Sequence, residues 1–473
     1  MDTAAPHPRE DDPTPRGVGW RRLLAAPAEA AERRPLAALA LIGLCCALVY
    51  LTGVLLVPSR AGRVINGDAI QYFAYLQSAV ADGDLDFTND YQQLYRNSTP
   101  ETNVWLRNRT SAGRPVNMMS VGPALLWSPF YVAARAVMGT PGPGTRAEAA
   151  LQSSVGLAGV VYATLGAWFT FFACRLLYSR RAAFWASLVV WLGGPAIYYS
   201  LVSPAYSHAT SMCAVAAFAW AWLATRDRFA LGHALLLGAL GGLVALVRWQ
   251  DAIVLLLPVG DAAWAAWRGE RRPSTACLHV VVMGVASIVA FAPQLAAWQA
   301  IYGTPVLVPQ GVGFMRWTEP AVLSVLFSLR HGLFSWTPAL LVAAAGIPLL
   351  IGRHRQVGWL VLLLLALAVY INASVVDWWA GAAFGARRFV GVGVFFALGM
   401  SAVLDARPLA SRPTTAAWLS VAAVAYNLLF VLQYQLFMRG MRDLVPYPST
   451  LQQVFVDRLW LPVQLLMRWI GGP

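Results

Sequence analysis

Lysine is absent from the 473-residue sequence, so all 35 basic residues are arginine. Charge as a whole is scarce: charged residues make up 12% of the chain, about half the share of a soluble globular domain. Such a chain cannot cover its surface with water-compatible side chains, which excludes an ordinary soluble enzyme. The five cysteines, Cys45, Cys46, Cys174, Cys213 and Cys277, form no CxxC pair and stand near no His at zinc spacing. A disulfide framework and a zinc site are therefore not expected. Disorder is excluded from the other side, because 20 Trp, 16 Tyr and 20 Phe are too many for a solvated chain.

What the sequence has in abundance is apolar residues, 58% of the total, gathered in runs of the length that lipid requires. Runs at residues 36–57, 151–177, 183–201, 206–224, 230–248, 276–301, 332–351, 357–375, 389–404 and 414–437 read as spans, with a weaker one at 252–267. A further run at 118–138 contains Pro123, Pro129 and Arg135 and decides the parity of everything after it. If it does not cross, the cytoplasmic loops hold twelve arginines: Arg175, Arg180, Arg181, Arg226, Arg228, Arg268, Arg271, Arg272, Arg353, Arg355, Arg407 and Arg412. The outward loops beyond residue 150 then hold only Arg248, Arg316, Arg330, Arg387 and Arg388. The positive-inside bias favours this choice.

The expectation is thus an all-α polytopic membrane protein of about eleven transmembrane helices, lying in a plasma or inner membrane. Residues 1–35 form a basic, disordered cytoplasmic tail, and residues 36–437 the transmembrane domain. Residues 58–150 make a large first outward loop with juxtamembrane helices. Residues 438–473 form an outward tail that lies along the membrane, with Trp460, Leu461, Leu465 and Trp469 beside Arg458 and Arg468. The net charge of +13 could suit nucleic acid, but the arginines punctuate apolar runs and line no single face, so no nucleic-acid partner is expected.

The remaining polar residues collect on the outward side. They include Asp68 and Tyr72 after the first span, His208 in SPAYSH, Arg248 and Asp251 in RWQD, His331 before GLFSW, and Arg387 and Arg388 after DWWAG. A charge inside a span costs about 2.5–3.5 kcal/mol on the insertion scale, so each of these must meet water, a partner or a polar cavity. Arginine forks suit phosphate oxygens, aromatic faces suit sugars and lipid, and a carboxylate can take a proton from a hydroxyl. Each also has a plainer reading: Arg248 and Asp251 stand at i, i+3 and could pair with each other, and either histidine could simply bond backbone. The run Asp82 to Asp90 resembles the opening of a calcium loop, but Phe87 and Gln93 replace the glycine and glutamate it needs, so it reads as a turn and no metal ligands are assigned.

The stretch NGDAIQYFAYLQSAVADGDLDFTNDY, with RWQD, HGLFSWTP and DWWAGAAFGARRFV, resembles the GT-C glycosyltransferases. The resemblance is to the branch of protein O-mannosyltransferases, aminoarabinose transferases and Rgt-type lipopolysaccharide glycosyltransferases. It implies transfer of a sugar from a polyprenyl-phosphate donor to a lipid, glycan or protein acceptor on the outer face, with Asp68 as general base. Tyr72, His208, Arg248, Asp251, His331, Arg387 and Arg388 are the substrate-binding candidates. No cofactor is assigned, although some members of that superfamily use a divalent cation. A second acid, common in the next outward loop of relatives, is missing there, which leaves His208, Asp86 and Asp251 as candidates. The rival readings are a carrier or flippase of an anionic lipid or solute, which would want charge near the bilayer midplane, and a polysaccharide polymerase or ligase, which would want its large loop late in the chain.

Overall fold

A computed structural model describes residues 20–56, 64–381, 383–438 and 450–471. Among these residues the structure is all-helical. The chain opens with α1 (Trp20–Arg33), α2 (Pro35–Leu55), α3 (Ala69–Gln77), α4 (Thr88–Leu94), α5 (Val104–Arg107), α6 (Gly122–Met138) and α7 (Arg146–Arg175). The middle is α8 (Arg180–Leu192), α9 (Tyr198–Leu201), α10 (Ser207–Thr225), α11 (Leu231–Val247), α12 (Leu256–Trp267) and α13 (Pro273–Tyr302). The last third holds α14 (Val322–Phe327), α15 (Leu333–Trp336), α16 (Pro338–Ala345), α17 (Ile347–Arg353), α18 (Arg355–Ala373), α19 (Gly393–Leu404), α20 (Pro413–Gln433) and α21 (Asp457–Gly471).

Local chemistry sets the helix ends. Thr145 caps α7 by accepting the Glu148 amide, and Glu148 in turn accepts the Gly144 amide, a variant of the reciprocal box that satisfies two orphan donors. Ser179 caps α8 in the same way, and α13 stops at Gly303, whose φ of +77° suits a residue without Cβ. The core is built where α10 lies on α7, α19 on α8, and α11 on α13. At the last crossing Gly238 and Gly242 stand one turn apart, and a Cβ on either would run into the α13 backbone at Met283 or Ser287. This is the small-residue packing by which helices associate in lipid without a hydrophobic driving force.

The outer surfaces of the long helices stay apolar, with Leu41, Leu44 and Leu48 on α2 and Val281, Val285 and Ile288 on α13 all exposed. Faces of this extent are not left to water. Among the described residues, five helical segments, Pro35–Val54, Arg146–Arg175, Pro273–Tyr302, Arg355–Ala373 and Pro413–Met438, are long and apolar enough to cross a membrane. The pair Arg180–Leu192 and Pro195–Leu201, bent by 62°, adds a sixth if it is one span. The chain is accordingly a helical, multi-pass type of membrane protein. Several of the eleven expected runs form shorter or interrupted helices. The 332–351 run breaks at Thr337 and Gly346, the 252–267 run begins in a 3₁₀ turn, and the 389–404 run becomes α-helical only at Gly393. The 118–138 run is the 17-residue α6, packed on α3 and α7.

Two expectations about the tails need correction. Residues 20–33 of the expected disordered tail form α1, because its Ala, Leu, Glu and Arg favour helix and Glu32 holds both Arg181 and the Trp185 indole of α8; residues 1–19 lie outside the described residues. In α21, Trp460 and Trp469 are exposed as expected, but Leu461 and Arg458 turn inward. The Arg458 guanidinium lies 3.6 Å from the Phe430 ring centroid and 4.2 Å from that of Tyr426, so ring faces of α20 hold the charge inside.

Gly242→Leu should lower stability by about 1–3 kcal/mol through overpacking, read as a lower thermal midpoint in detergent. An unchanged midpoint would show that α11 and α13 do not pack this closely.

Candidate active site

The site begins in the turn before α3. Ile65 donates its amide to Gln152 Oε1 of α7 at 3.2 Å, which anchors the incoming chain. Gly67 follows with φ +58°, and its missing side chain leaves room for the Tyr206 hydroxyl. This turn delivers Asp68 at the head of α3, where its side chain caps no helical amide and is left to face outward from the turn. Its Oδ2 sits 2.8 Å from Arg387 Nη1, a residue 319 positions away in sequence, in the 3₁₀ turn Arg387–Phe389.

The adjacent Arg388 turns to a second acid. It donates to the Asp377 carbonyl at 2.9 Å and to the Asp377 carboxylate at 2.6 Å. Asp377 and Arg388 are thus held by two bonds, whereas Asp68 and Arg387 share one contact. Both carboxylates have side chains 36% exposed, while the two arginines are 13% and 14% exposed. Burial is the largest single influence and would weaken the Arg387 charge, but Asp68 together with Tyr199, Tyr206 and Tyr72 outweighs it and holds the guanidinium above its ordinary pKa. Arg388 is lowered by burial, with Asp377 offsetting part of that. A guanidinium keeps its proton either way.

A third pair lies deeper. Arg248 sits 3.5 Å from Asp251 through Nε and donates to Ser207 Oγ at 3.1 Å; Ser207 in turn is 2.8 Å from the Tyr72 hydroxyl. Asp251 is buried behind this arginine and accepts from Ser211 at 2.6 Å. His208 is buried against Tyr199 at 4.4 Å between ring centroids, and its Nδ1 has no hydrogen-bond partner among the described residues.

These groups open onto one cavity of about 1320 Å³. Of the residues expected from sequence, Asp68, Tyr72, His208, Arg248, Arg387 and Arg388 line it. Asp251 and His331 are not among its lining. His331 is buried elsewhere, with Nδ1 2.8 Å from the Trp379 carbonyl and φ of +61°; Ala380 beside that contact also has positive φ. Burial above all lowers its pKa to about 4, so at neutral pH it brings no positive charge to a phosphate. The His331 ring thus meets the 377–381 turn, and positive φ at His331 and Ala380 is of the kind that costs about 1–3 kcal/mol per residue.

Asp377, in the DWWAG stretch before Arg387 and Arg388, is not among the site residues expected from sequence. The signal was an acid ten residues before a double arginine. The segment around Val308–Met315, which with Ile371 and Val375 gives the cavity an apolar wall, is not among them either. Asp86, one candidate second acid, is tied up locally by Thr88. Two other acids of its run are similarly committed, Asp84 to Ser78 and Asp82 to Asn89. Among the described residues no three His, Cys, Asp or Glu gather as metal ligands.

A helical membrane protein with a large, charge-lined cavity is the class this architecture defines. Neither a protein-family model nor a curated protein matches the chain. Among solved structures, it is similar to the archaeal oligosaccharyltransferase AglB from Archaeoglobus fulgidus in complex with an inhibitory peptide and a dolichol-phosphate, with TM-score 0.48 and 13% identity over 90% of this chain and 61% of that one. It is also similar to the Archaeoglobus fulgidus oligosaccharyltransferase in the apo form, with TM-score 0.47 and 13% identity over 88% of this chain. The chain spans about three fifths of the length of these structures, 61% in each case.

Near the cavity, Asp90 of α4 is fully buried and neither carboxyl oxygen has a hydrogen-bond partner among the described residues. Burial first, then the carboxylates of Asp82, Asp84 and Asp86, push its pKa up to about 7. The folded chain therefore holds this proton more tightly than the unfolded chain, whose aspartate titrates at about 3.9. The stability that protonation contributes is full below about pH 4 and is lost as pH climbs towards 7. Asp90→Asn, which removes the charge at nearly constant shape, should raise the thermal midpoint in detergent at pH 8, by an amount that shrinks as pH is lowered to 5. A midpoint that falls at both pH values would mean the buried carboxylate has a favourable partner.

Proposed function

We propose that the chain is a membrane glycosyltransferase of the GT-C type that moves one sugar from a polyprenyl-phosphate donor to a hydroxyl acceptor on the outer face of the membrane. The observation that carries this reading is the Asp68–Arg387 pair at 2.8 Å on the wall of the large cavity. A proton acceptor and a phosphate-binding fork stand side by side there, at the boundary of an apolar wall suited to an isoprenoid.

The chemistry follows from the charges. Arg387, supported by Arg388 and Arg248, holds the donor phosphate. The acceptor hydroxyl oxygen attacks the anomeric carbon, its proton passes to Asp68, and the carbon–oxygen bond to phosphate breaks with its electron pair going to the phosphate. The products are the glycoside and the free polyprenyl phosphate. Fixed guanidinium groups favour the charge that develops on the leaving oxygen. Asp68 suits the role of base better than Asp377, because Asp377 is gripped through both its carboxylate and its carbonyl by Arg388. His208, which lines the same cavity as Tyr72, is placed to contact sugar or acceptor hydroxyls.

The carrier alternative would use the broken helix at Gly193 to Pro195, where freed carbonyls can bind an ion. Here Asn427 donates to the Leu192 and Gly194 carbonyls, at 2.8 Å each, and closes the break. That observation favours the enzyme.

Asp68→Asn should reduce transfer by about 10²–10⁴-fold, the usual share of a positioned base. The assay is membrane vesicles supplied with radiolabelled polyprenyl-phosphate sugars, with expression matched to the wild-type chain. Transfer at the wild-type rate would remove Asp68 from the mechanism.

A further inference from the structure

Arg387 and Arg388 are neighbours, yet their acids hold them differently. Arg388 grips Asp377 through the backbone carbonyl as well as the carboxylate, and a carbonyl cannot be displaced by an arriving anion without moving the 377 turn. That turn is in its own right pinned by the bond between His331 and the Trp379 carbonyl. Arg387 is different. Its acidic partner is the carboxylate of Asp68, reached by one contact from a separate element. A ring face supports Arg387 as well: the Tyr206 centroid lies 5.9 Å from its guanidinium carbon, and the Tyr206 hydroxyl fills the space at Gly67. Arg387 thus has an aromatic ring near it as well as its acid, and the acid comes from a separate element.

We propose that Arg387 works as an exchange switch: an arriving lipid phosphate competes with Asp68 for its guanidinium, so that Asp68 becomes a free base only once the donor has docked. This deepens the glycosyltransferase reading and rests on it. While paired with Arg387 at 2.8 Å, the Asp68 carboxylate is engaged by a guanidinium and not by an acceptor hydroxyl. A phosphate brought against the same guanidinium repels the carboxylate and takes its place. Asp68 then faces the cavity unpaired, beside the acceptor hydroxyl.

The cycle closes on the same competition. During transfer the hydroxyl proton ends on Asp68, and the electron pair of the broken carbon–oxygen bond ends on the phosphate. Neutral Asp68 no longer competes, so the lipid phosphate product is held by Arg387 at its tightest. When Asp68 releases its proton to water through the cavity, its carboxylate reclaims Arg387 and the product is expelled. The pair therefore orders the reaction, donor first, and drives product release, two properties that a simple structural ion pair would not confer.

The consequence is opposite in sign to the usual effect of an active-site substitution. Asp68→Asn removes the competitor and should bind a polyprenyl phosphate roughly tenfold more tightly than the wild-type chain, a change of about 1.4 kcal/mol, while losing transfer. Asp68→Glu, which keeps the charge, should bind as the wild type does. The measurement is a titration of the full chain in nanodiscs with a polyprenyl phosphate, read by tryptophan fluorescence, since Trp249 lines the cavity; the uncharged polyprenol serves as control and should not distinguish the variants. Equal or weaker phosphate binding by Asp68→Asn, with binding lost in Arg387→Gln, would overturn the switch and leave phosphate recognition by Arg387 standing. An absence of saturable phosphate binding in the wild type and all variants would overturn the transferase reading itself, and the switch with it.

Discussion

One ion pair joins the two ends of this chain. Asp68 leaves the turn after the first apolar helix, Arg387 comes from the turn before α19, and their 2.8 Å contact brings the two elements to one cavity wall. Much of the nearby structure serves that meeting. Gly67 yields space to Tyr206, Gln152 of α7 receives the Ile65 amide, and Arg388 fixes the 377 turn through Asp377. Remove the pair and the cavity loses the juxtaposition of acid and cation on which its proposed chemistry rests.

Cations in apolar surroundings are costly, and the protein answers that cost with acids of matched number. Arg248, Arg387 and Arg388 each face one aspartate: Asp251, Asp68 and Asp377. The three pairs differ in depth. Asp251 is buried behind its arginine, Asp377 is clamped at the rim, and Asp68 is bound by one contact at the wall. Graded access of this kind lets neighbouring, chemically identical pairs serve scaffold and chemistry separately. Arg458 solves the same problem without an acid, by lying against the rings of Phe430 and Tyr426.

Much of this could be read from the sequence because a charge at a membrane boundary needs a reason. That single argument picked out Asp68, Arg248, Arg387 and Arg388, and the cavity gathers all four. It could not assign partners: adjacent arginines point to different acids, and no spacing rule tells which takes Asp68. His331 stood next to a polar cluster, but a turn with positive φ carries its ring away from the cavity to the Trp379 carbonyl. Hydropathy located the apolar runs and was blind to their interruptions at Thr337, Gly346 and Gly193, where backbone geometry and not polarity breaks the helix. The inward turn of Arg458 was equally hidden, since helical periodicity places a residue on a face without saying what that face meets.

The most direct test of the account is the proximity of its two ends. In a chain whose five native cysteines are replaced, Asp68→Cys and Arg387→Cys should be joined in intact membranes by a short bifunctional methanethiosulfonate reagent added from the outer side, and the linkage should survive proteolysis between them. Failure to link, or labelling of the two positions from opposite sides of the membrane, would show that acid and cation do not share a cavity and would contradict the account at its root.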